Sequence, residues 1–131
     1  MSRGTHAPEA DAIRALLEDW AAAVRARDLG GILAHHSTGI VIFDVPPPLV
    51  IRGIEAYART WRLFFSAQAV PVVFDILDLE ITAGSDVAFA VARMRCVDRE
   101  AGELEFRLTV GLRKIRGAWT VVHEHHSLPA N

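Results

Sequence analysis

The sequence of 131 residues predicts a single domain of the α+β class, with an antiparallel sheet and helices packed on one side of it. Segments in which apolar residues recur every three or four positions lie in the first half of the chain, as in amphipathic helices. Segments with the composition and alternation of strands fill the second half. Because 51% of the residues are hydrophobic, a chain of this length can bury a core without help from metals or disulfides.

Two long helices are predicted, one near the N-terminus and one in the middle of the chain. The first covers DAIRALLEDWAAAVRARD, with Asp11 as its N-cap and Gly30 and Gly31 as its stop. The second lies within IRGIEAYARTWRLFFSA and begins after Gly53. Their apolar faces contain Ile13, Leu16, Leu17, Trp20 and Val24 in the first helix and Ile54, Tyr57, Trp61, Phe64 and Phe65 in the second. Residues 1–8 are predicted to form a flexible arm, so that the domain spans residues 9–131.

One short strand and four longer ones are predicted around these helices. The short strand, GIVIFDVPPP, lies between the helices and ends at three prolines, which cannot donate to a sheet ladder. The longer strands, VVFDILDLEITA, DVAFAVARMRCVD, LEFRLTVGLRKI and AWTVVHEHHSL, follow one another through tight turns. Two helices can cover only one face of such a sheet. We therefore expect a homodimer, in which a second copy covers the back of the sheet.

Alternation along the strands predicts which side chains face the helices, because successive residues point to opposite faces. In LEFRLTVGLRKI the inward set is Leu104, Phe106, Leu108, Val110 and Leu112. For the last strand, the pattern alone does not decide which face points toward the helices. One face carries Trp119, Val121, His123 and His125, and the other carries Thr120, Val122, Glu124 and His126. At most two of the three histidines in VVHEHHSLP can therefore act at one site.

Several classes of function are disfavoured by composition. The net charge of −2 leaves no basic surface for nucleic acid, and no apolar run is long enough to cross a membrane. The N-terminal residues lack a signal-peptide pattern, so a cytoplasmic protein is expected. Glycine-rich phosphate loops are absent, and no cofactor is expected. His123 and His125 could chelate zinc only with a third ligand, for which His35 or His36 is the candidate, and no metal is predicted.

The layout resembles the SnoaL-like and ketosteroid isomerase-like proteins of the nuclear transport factor 2-like superfamily. The residues that carry the resemblance are the first helix ending in RARD, the segment FDVPPPLVIRG, the next helix with Trp61, and GLRKIRGAWTVVHEHHS. The resemblance implies a cone-shaped fold, in which a curved antiparallel sheet wraps around N-terminal helices and encloses a cavity. The superfamily includes isomerases, cyclases, hydrolases, dehydratases and association domains, so the fold does not specify a reaction.

The same resemblance implies roles for individual residues. Asp44 matches the general-base aspartate of the isomerases, whereas Trp20 and Val110 stand where those enzymes carry a tyrosine and a protonated aspartate that bind the oxyanion. A true steroid isomerase is therefore not expected. On the last strand, Val122, Glu124 and His126 are expected to face the cavity, and Trp119, Val121, His123 and His125 the dimer partner. Arg93 is expected to point into the cavity, where it would bind a substrate carboxylate or pair with Asp44 or Glu124.

The predicted function is that of a cofactor-free enzyme that isomerises, cyclises or dehydrates an apolar small molecule by proton transfer. Asp44 would be the base, with its pKa raised by burial, and His126 and Glu124 the acid and its partner. The predicted substrate-binding residues are Trp20, Trp61, Phe65, Phe89, Arg93 and Val110. The alternative is a non-catalytic module for ligand binding or dimeric association. An open cavity in which Asp44 meets a proton-transfer partner would favour the enzyme.

Overall fold

The computed structural model describes residues 7–68 and 70–130. Its helices are α1 (Ala7–Arg25), α2 (Leu29–Leu33) and α3 (Ile54–Ser66). Its strands are β1 (His36–Phe43), β2 (Ile51–Arg52), β3 (Phe74–Ala83), β4 (Val87–Asp98), β5 (Gly102–Ile115) and β6 (Ala118–Ser127). Helices early in the chain and long strands late in it confirm the predicted α+β class.

All six strands form one sheet in the order β2-β1-β6-β5-β4-β3. Strands β3 to β6 are an antiparallel meander, and β1 adds to the edge of β6 in the parallel direction. The helices pack against one face of the sheet, α1 over β3 and α3 over β1. Within the described ranges no helix is both long and apolar enough to cross a membrane.

The first helix differs from its predicted bounds at both ends. It begins at Ala7, so Asp11 lies in its second turn and is not the N-cap. It ends at Arg25, and Arg27 then adopts a positive φ of 56° that no helix continues through. Of the predicted arm, residues 1–6 lie outside the described residues, and residues 7 and 8 belong to α1.

Gly30 and Gly31, which were predicted to end the first helix, instead belong to the short helix α2. Asp28 caps this helix, because its carboxylate accepts a hydrogen bond of 3.1 Å from the backbone N–H of Gly31. A Cβ atom at residue 31 would lie 2.7 Å from the Asp28 carboxylate and 2.9 Å from the Cβ of Ala23. Glycine is therefore required here by close packing, rather than by the end of a helix.

The predicted inward face of β5 is confirmed. Leu108, Val110 and Leu112 are buried, and Leu104 and Phe106 pack against the same core. The opposite face of β4 is open, and Val87, Phe89 and Val91 expose 61%, 50% and 36% of their surface.

Strand β6 contains a β-bulge that changes the predicted faces. Gly111 of β5 pairs with His123, whereas the next residue, Leu112, pairs with Val121, so Val122 is an extra residue on β6. The extra residue inverts the alternation. Trp119 and Val121 are therefore buried on the same face as Glu124. The expectation that Trp119 and Val121 face the back of the sheet with His123 and His125 was wrong for this reason.

Deleting Val122 is expected to destabilise the fold by several kcal/mol. Without the bulge, either the buried Trp119 and Val121 or the buried Glu124 must leave the inner face, and each such loss costs about 2–5 kcal/mol. Chemical denaturation monitored by circular dichroism measures the change. Val122→Ala is the control, since it keeps the bulge and removes two methyl groups of a half-buried side chain. Equal stability of the deletion variant and the control would contradict the role of the bulge.

Candidate functional site

A cavity of about 600 Å³ lies between α3, the start of β3 and the ends of β1, β4, β5 and β6. Its volume is within the range of sites that bind small molecules. Much of its wall is apolar, including Trp61, Phe64, Phe74, Leu104, Phe106 and Leu128. The loop Pro46, Pro47 and Pro48 forms another part of the wall.

Asp44 and His126 meet at the wall of this cavity. Asp44 directly follows β1, and its carboxylate accepts a hydrogen bond of 2.8 Å from the backbone N–H of Val45. His126 lies near the end of β6, the neighbour of β1, and its Nδ1 is 3.5 Å from Oδ1 of Asp44. The two side chains are 19% and 12% exposed, so both are accessible from the cavity and largely shielded elsewhere.

Glu124 is a buried carboxylate behind this pair, with only 1% of its side chain exposed. Its Oε1 lies 3.0 Å from Nε2 of His126. Its Oε2 accepts a hydrogen bond of 2.7 Å from the hydroxyl of Tyr57 and lies 2.9 Å from Nε2 of His36. Asp44, His126, Glu124 and His36 thus form a continuous series of contacts, which we name the carboxylate–histidine chain.

The contacts within the carboxylate–histidine chain determine which nitrogens of His126 carry protons. An ionised carboxylate oxygen and a ring-nitrogen lone pair repel each other, so each short contact requires a proton on the nitrogen. Both nitrogens of His126 face carboxylates, which makes its ring an imidazolium. In His36, Nδ1 lies 2.8 Å from the carbonyl oxygen of Ala34 and Nε2 faces Glu124, so the ring is held from both sides.

Electrostatics within the chain agree with this arrangement. Burial would lower the pKa of His126, but Asp44 and Glu124 outweigh it and raise that pKa to about 9. Burial would raise the pKa of Glu124, but hydrogen bonds from His126 and His36 lower it to about 2. Burial and the charge of Glu124 raise the pKa of Tyr57 well above its ordinary value.

The pKa of Asp44 differs from the sequence-based expectation. Burial would raise it, but the adjacent imidazolium of His126 outweighs that effect and lowers the pKa below its ordinary value. The expected increase in the pKa of Asp44 was therefore wrong, because that expectation considered the apolar wall and not the cation beside it. Asp44 is an ionised acceptor at neutral pH.

The three predicted catalytic residues, Asp44, Glu124 and His126, lie together, but only Asp44 and His126 line the cavity. Of the predicted substrate-binding residues, Trp61 lines it. Phe65 packs beside Trp61, with ring centroids 6.1 Å apart, but is not part of the wall.

Trp20 and Val110 lie away from the cavity wall. The indole Nε1 of Trp20 donates a hydrogen bond of 3.1 Å to the hydroxyl of Tyr57. Trp20 therefore supports the carboxylate–histidine chain from behind. Val110 is buried on β5, directly opposite Glu124 in the strand register.

The placement of Phe89 and Arg93 in the cavity was wrong. Both occupy odd positions of β4, which face the back of the sheet, and Phe89 is 50% exposed there. Arg93 forms ion pairs of 2.7 Å with Asp78 and 2.8 Å with Glu105 on that face, and not with Asp44 or Glu124. The even-numbered residues of β4, most of them small, pack beneath the helices. The odd-numbered residues therefore point to the back of the sheet.

Two residues that contact Glu124, His36 and Tyr57, were not predicted to be part of this site: the sequence suggested His36 only as a possible third zinc ligand and Tyr57 only as part of an apolar helix face. A usable signal existed for both. His36 shares its parity on β1 with Ile40 and Ile42, which are buried. Tyr57 lies one helical turn before Trp61 on α3, on the face that packs inward.

His123 and His125 lie on the opposite side of β6 from the cavity. Both rings contact Phe43 edge to face, with centroid distances of 4.9 Å and 5.4 Å. Nδ1 of His123 is 2.7 Å from the carbonyl oxygen of Val41, so this nitrogen is a donor to the backbone. Across residues 7–68 and 70–130, no group of three or more His, Cys, Asp and Glu side chains is arranged to hold a metal ion.

Comparisons with known proteins agree with the geometry of the fold. The model of the SnoaL-like domain matches residues 13–131. An NTF2-like protein of unknown function from Pseudomonas putida KT2440 is 36% identical, with a TM-score of 0.90 over 98% of this chain and 92% of that one. No curated protein matches.

More distant solved structures share the fold alone. A ketosteroid isomerase-like protein from Erwinia carotovora atroseptica SCRI1043 is 17% identical, with a TM-score of 0.76 over 94% of this chain and 98% of that one. A protein with a cystatin-like fold from Nostoc punctiforme is 16% identical, with a TM-score of 0.80 over 98% of this chain and 97% of that one.

The carboxylate–histidine chain predicts how stability depends on pH. In the folded protein the pKa of His126 is raised from its ordinary value of 6.5 to about 9. The stabilisation from the protonated ring is therefore complete below pH 6.5 and is lost as pH rises through 9. Glu124 has its pKa lowered from 4.5 to about 2, so its stabilisation is present above pH 4.5 and is lost as pH falls through 2. The free energy of unfolding should therefore be highest between about pH 4.5 and 6.5.

Urea denaturation from pH 6 to pH 9.5 tests the basic side of this profile. The wild type should lose on the order of 3 kcal/mol over this range, and His126→Gln should lack that loss. His125→Gln is the matched control. The ring of His125, which precedes His126 in the sequence, is exposed on the other face of β6, so its replacement should leave the pH profile of stability unchanged. A slope that survives in His126→Gln would show that another group causes it.

Proposed function

The chain belongs to the SnoaL-like domain family, and on that premise we propose that it is an enzyme that transfers protons within an apolar small molecule. The reaction would be an isomerisation, a cyclisation or a dehydration, without a cofactor. One observation carries the proposal. An ionised carboxylate and a protonated imidazole meet, 3.5 Å apart, at the wall of a largely apolar cavity of about 600 Å³.

Asp44 and His126 have complementary roles in such a reaction. Asp44 accepts a proton from a carbon next to a carbonyl group, and Nδ1 of His126 donates to the oxygen on which negative charge develops. The contact between them is longer than the contacts of 3.0 Å and 2.9 Å deeper in the chain. The weakest link of the carboxylate–histidine chain is thus the one beside the cavity, where substrate atoms can separate the two groups.

The buried members of the carboxylate–histidine chain orient His126, the proposed acid, and keep it protonated. Glu124 orients His126 through Nε2 and favours its charged form, while His36 and Tyr57 hold Oε2 of Glu124 in place. Trp20 donates to Tyr57 and is not available as an oxyanion donor. This arrangement argues against the chemistry of a true steroid isomerase, and supports a different division of labour in which His126 is the donor.

Exchange of substrate hydrogen with solvent tests this proposal without knowledge of the natural substrate. We expect the protein to accelerate the exchange of the acidic C–H of 2-tetralone in D₂O, followed by NMR. Asp44→Asn should reduce the rate at least about 100-fold, as expected for loss of a general base.

Asp98→Asn is the matched control for this experiment. Asp98 also lines the cavity, but its Oδ1 accepts hydrogen bonds of 2.7 Å and 2.8 Å from the backbone N–H groups of Glu100 and Ala101. Asparagine can accept the same bonds, so exchange should continue at the wild-type rate. Equal exchange by Asp44→Asn and the wild type would refute Asp44 as the base.

The back of the sheet supports a second proposal, that two copies of the chain associate through it. Val87, Phe89 and Val91 form an exposed apolar row on β4, and Phe43 is 37% exposed on β1 of the same sheet. Apolar rows of this kind are typical of interfaces between identical subunits. Association is compatible with catalysis, and it would be the main function if the cavity proved inactive.

Sedimentation velocity at micromolar concentration measures the association. The wild type should sediment as a species of twice the mass of one chain, and Phe89→Glu should sediment as a monomer, because it buries a charge in the interface. Leu49→Glu, at a side chain 91% exposed in the loop after β1, is the control and should remain dimeric. A monomeric wild type would exclude the dimer at this concentration.

A further inference from the structure

One face of α3 contributes a continuous stripe to the wall of the cavity. The residues of this helix and its C-cap that form most of the stripe are Ala56, Arg59, Thr60, Leu63, Phe64 and Ala67. Their spacing of three and four positions is that of a single helical face, so they share one direction, toward the cavity. Arg59 and Leu63 are also exposed, which places this part of the stripe at the opening of the cavity.

Arg59 is the charged member of this stripe, and it has no partner within residues 7–68 and 70–130. No ion pair and no hydrogen bond holds its guanidinium, whereas Arg93 and Arg95 are each paired with carboxylates. Glu55 lies one turn earlier in α3, at the spacing of a helical ion pair, but the pair is not formed. An exposed pair of that kind would contribute little, so the guanidinium of Arg59 is available to a ligand.

The other charged groups of the cavity wall are already compensated. Asp44 and His126 face each other at 3.5 Å. Asp98 accepts hydrogen bonds of 2.7 Å and 2.8 Å from two backbone N–H groups. Much of the remaining wall is apolar. Arg59 is therefore the charge of the wall that a ligand can complete.

A carboxylate is the ligand group that fits a single guanidinium at this place. Its two oxygens match the two parallel N–H donors of an arginine fork, and its one negative charge matches the one positive charge. A phosphate group would bring up to two negative charges into a cavity whose wall already contains the carboxylates of Asp44 and Asp98. The chemistry of the opening thus favours a carboxylic acid.

We propose that the cavity binds an apolar oxo acid, whose carboxylate is bound by Arg59 at the opening. The apolar body of the ligand lies against the aromatic wall, and its carbonyl group lies at Asp44 and His126. Arg59 is thus a specificity residue that favours oxo acids over neutral ketones, the role that the sequence suggested for Arg93. The inference rests on the proposed function for the carbonyl end, but recognition by Arg59 requires binding alone.

Two probes that differ in charge and little in shape test the inference. 6-Acetyl-2-naphthoic acid and 6-acetyl-2-naphthamide share a flat apolar body with a carbonyl group, and only the acid is an anion at neutral pH. Titration calorimetry at low ionic strength gives their dissociation constants. The wild type should bind the acid about five- to tenfold more tightly than the amide. Added salt should reduce this preference, because an ion pair at the opening is screened.

Arg59→Gln should abolish the preference for the acid, because glutamine keeps a high helix propensity and carries no charge. Arg62→Gln is the matched control. Arg62 is exposed on the same helix but is not part of the cavity wall, so its replacement removes the same charge and should keep the preference. Both variants should melt at the temperature of the wild type, since both side chains are exposed.

Each outcome decides the matter. Equal affinity of the wild type for the acid and the amide, or an unchanged preference in Arg59→Gln, overturns the inference. Equal loss of the preference in both variants shows that overall charge attracts the acid, and a much lower melting temperature of Arg59→Gln alone shows that Arg59 serves the fold; both results also overturn it. Failure of both probes to bind the wild type overturns it together with the ligand cavity. Exchange of 2-tetralone, which has no carboxylate, tests Asp44 separately, so the proposed function can hold where this inference fails.

Discussion

The arrangement of the site depends on the buried carboxylate of Glu124. An isolated charge at that depth would be neutralised or would cost several kcal/mol, so it persists only with partners. The imidazolium of His126, the ring of His36 and the hydroxyl of Tyr57 supply them, at 2.7–3.0 Å. Removing any partner leaves a charge without compensation, and the members of the carboxylate–histidine chain therefore act as one unit.

Strand pairing brings this unit to the cavity. Ile42 pairs with Glu124 and Phe43 with His125, which carries Asp44 to the side of His126 just beyond the end of β1. The bulge at Val122 supplies the second condition, because it turns Glu124 toward the helices while Trp119 and Val121 remain in the core. The position of one extra residue in β6 thus decides which side chain faces the helices: the carboxylate of Glu124, or a neighbouring imidazole that now lies on the opposite face.

Much of the fold could be predicted from periodicity, and less of the site. The spacing in α3 and the inward face of β5 follow from apolar burial, which a sequence records directly. A bulge leaves no such record, since the residues on both sides of Val122 still alternate. The faces of β4 carry apolar residues on both sides, so the pattern could not decide where Arg93 points. The pKa of Asp44 depends on a cation 82 positions away in the chain, and no local pattern contains that distance.

The mutual dependence of the groups in the carboxylate–histidine chain also limits how the sequence can diverge. The carboxylates of Asp44 and Glu124 share the imidazolium of His126, and Glu124 also depends on its contact with His36. A single replacement leaves a buried polar group without its partner, whereas replacement of a neighbouring pair removes both groups. Homologues are therefore expected to keep these residues together or to replace them in compensating pairs, with intermediate combinations selected against. The network would then be inherited as a block, even where the residues that line the cavity vary with the ligand.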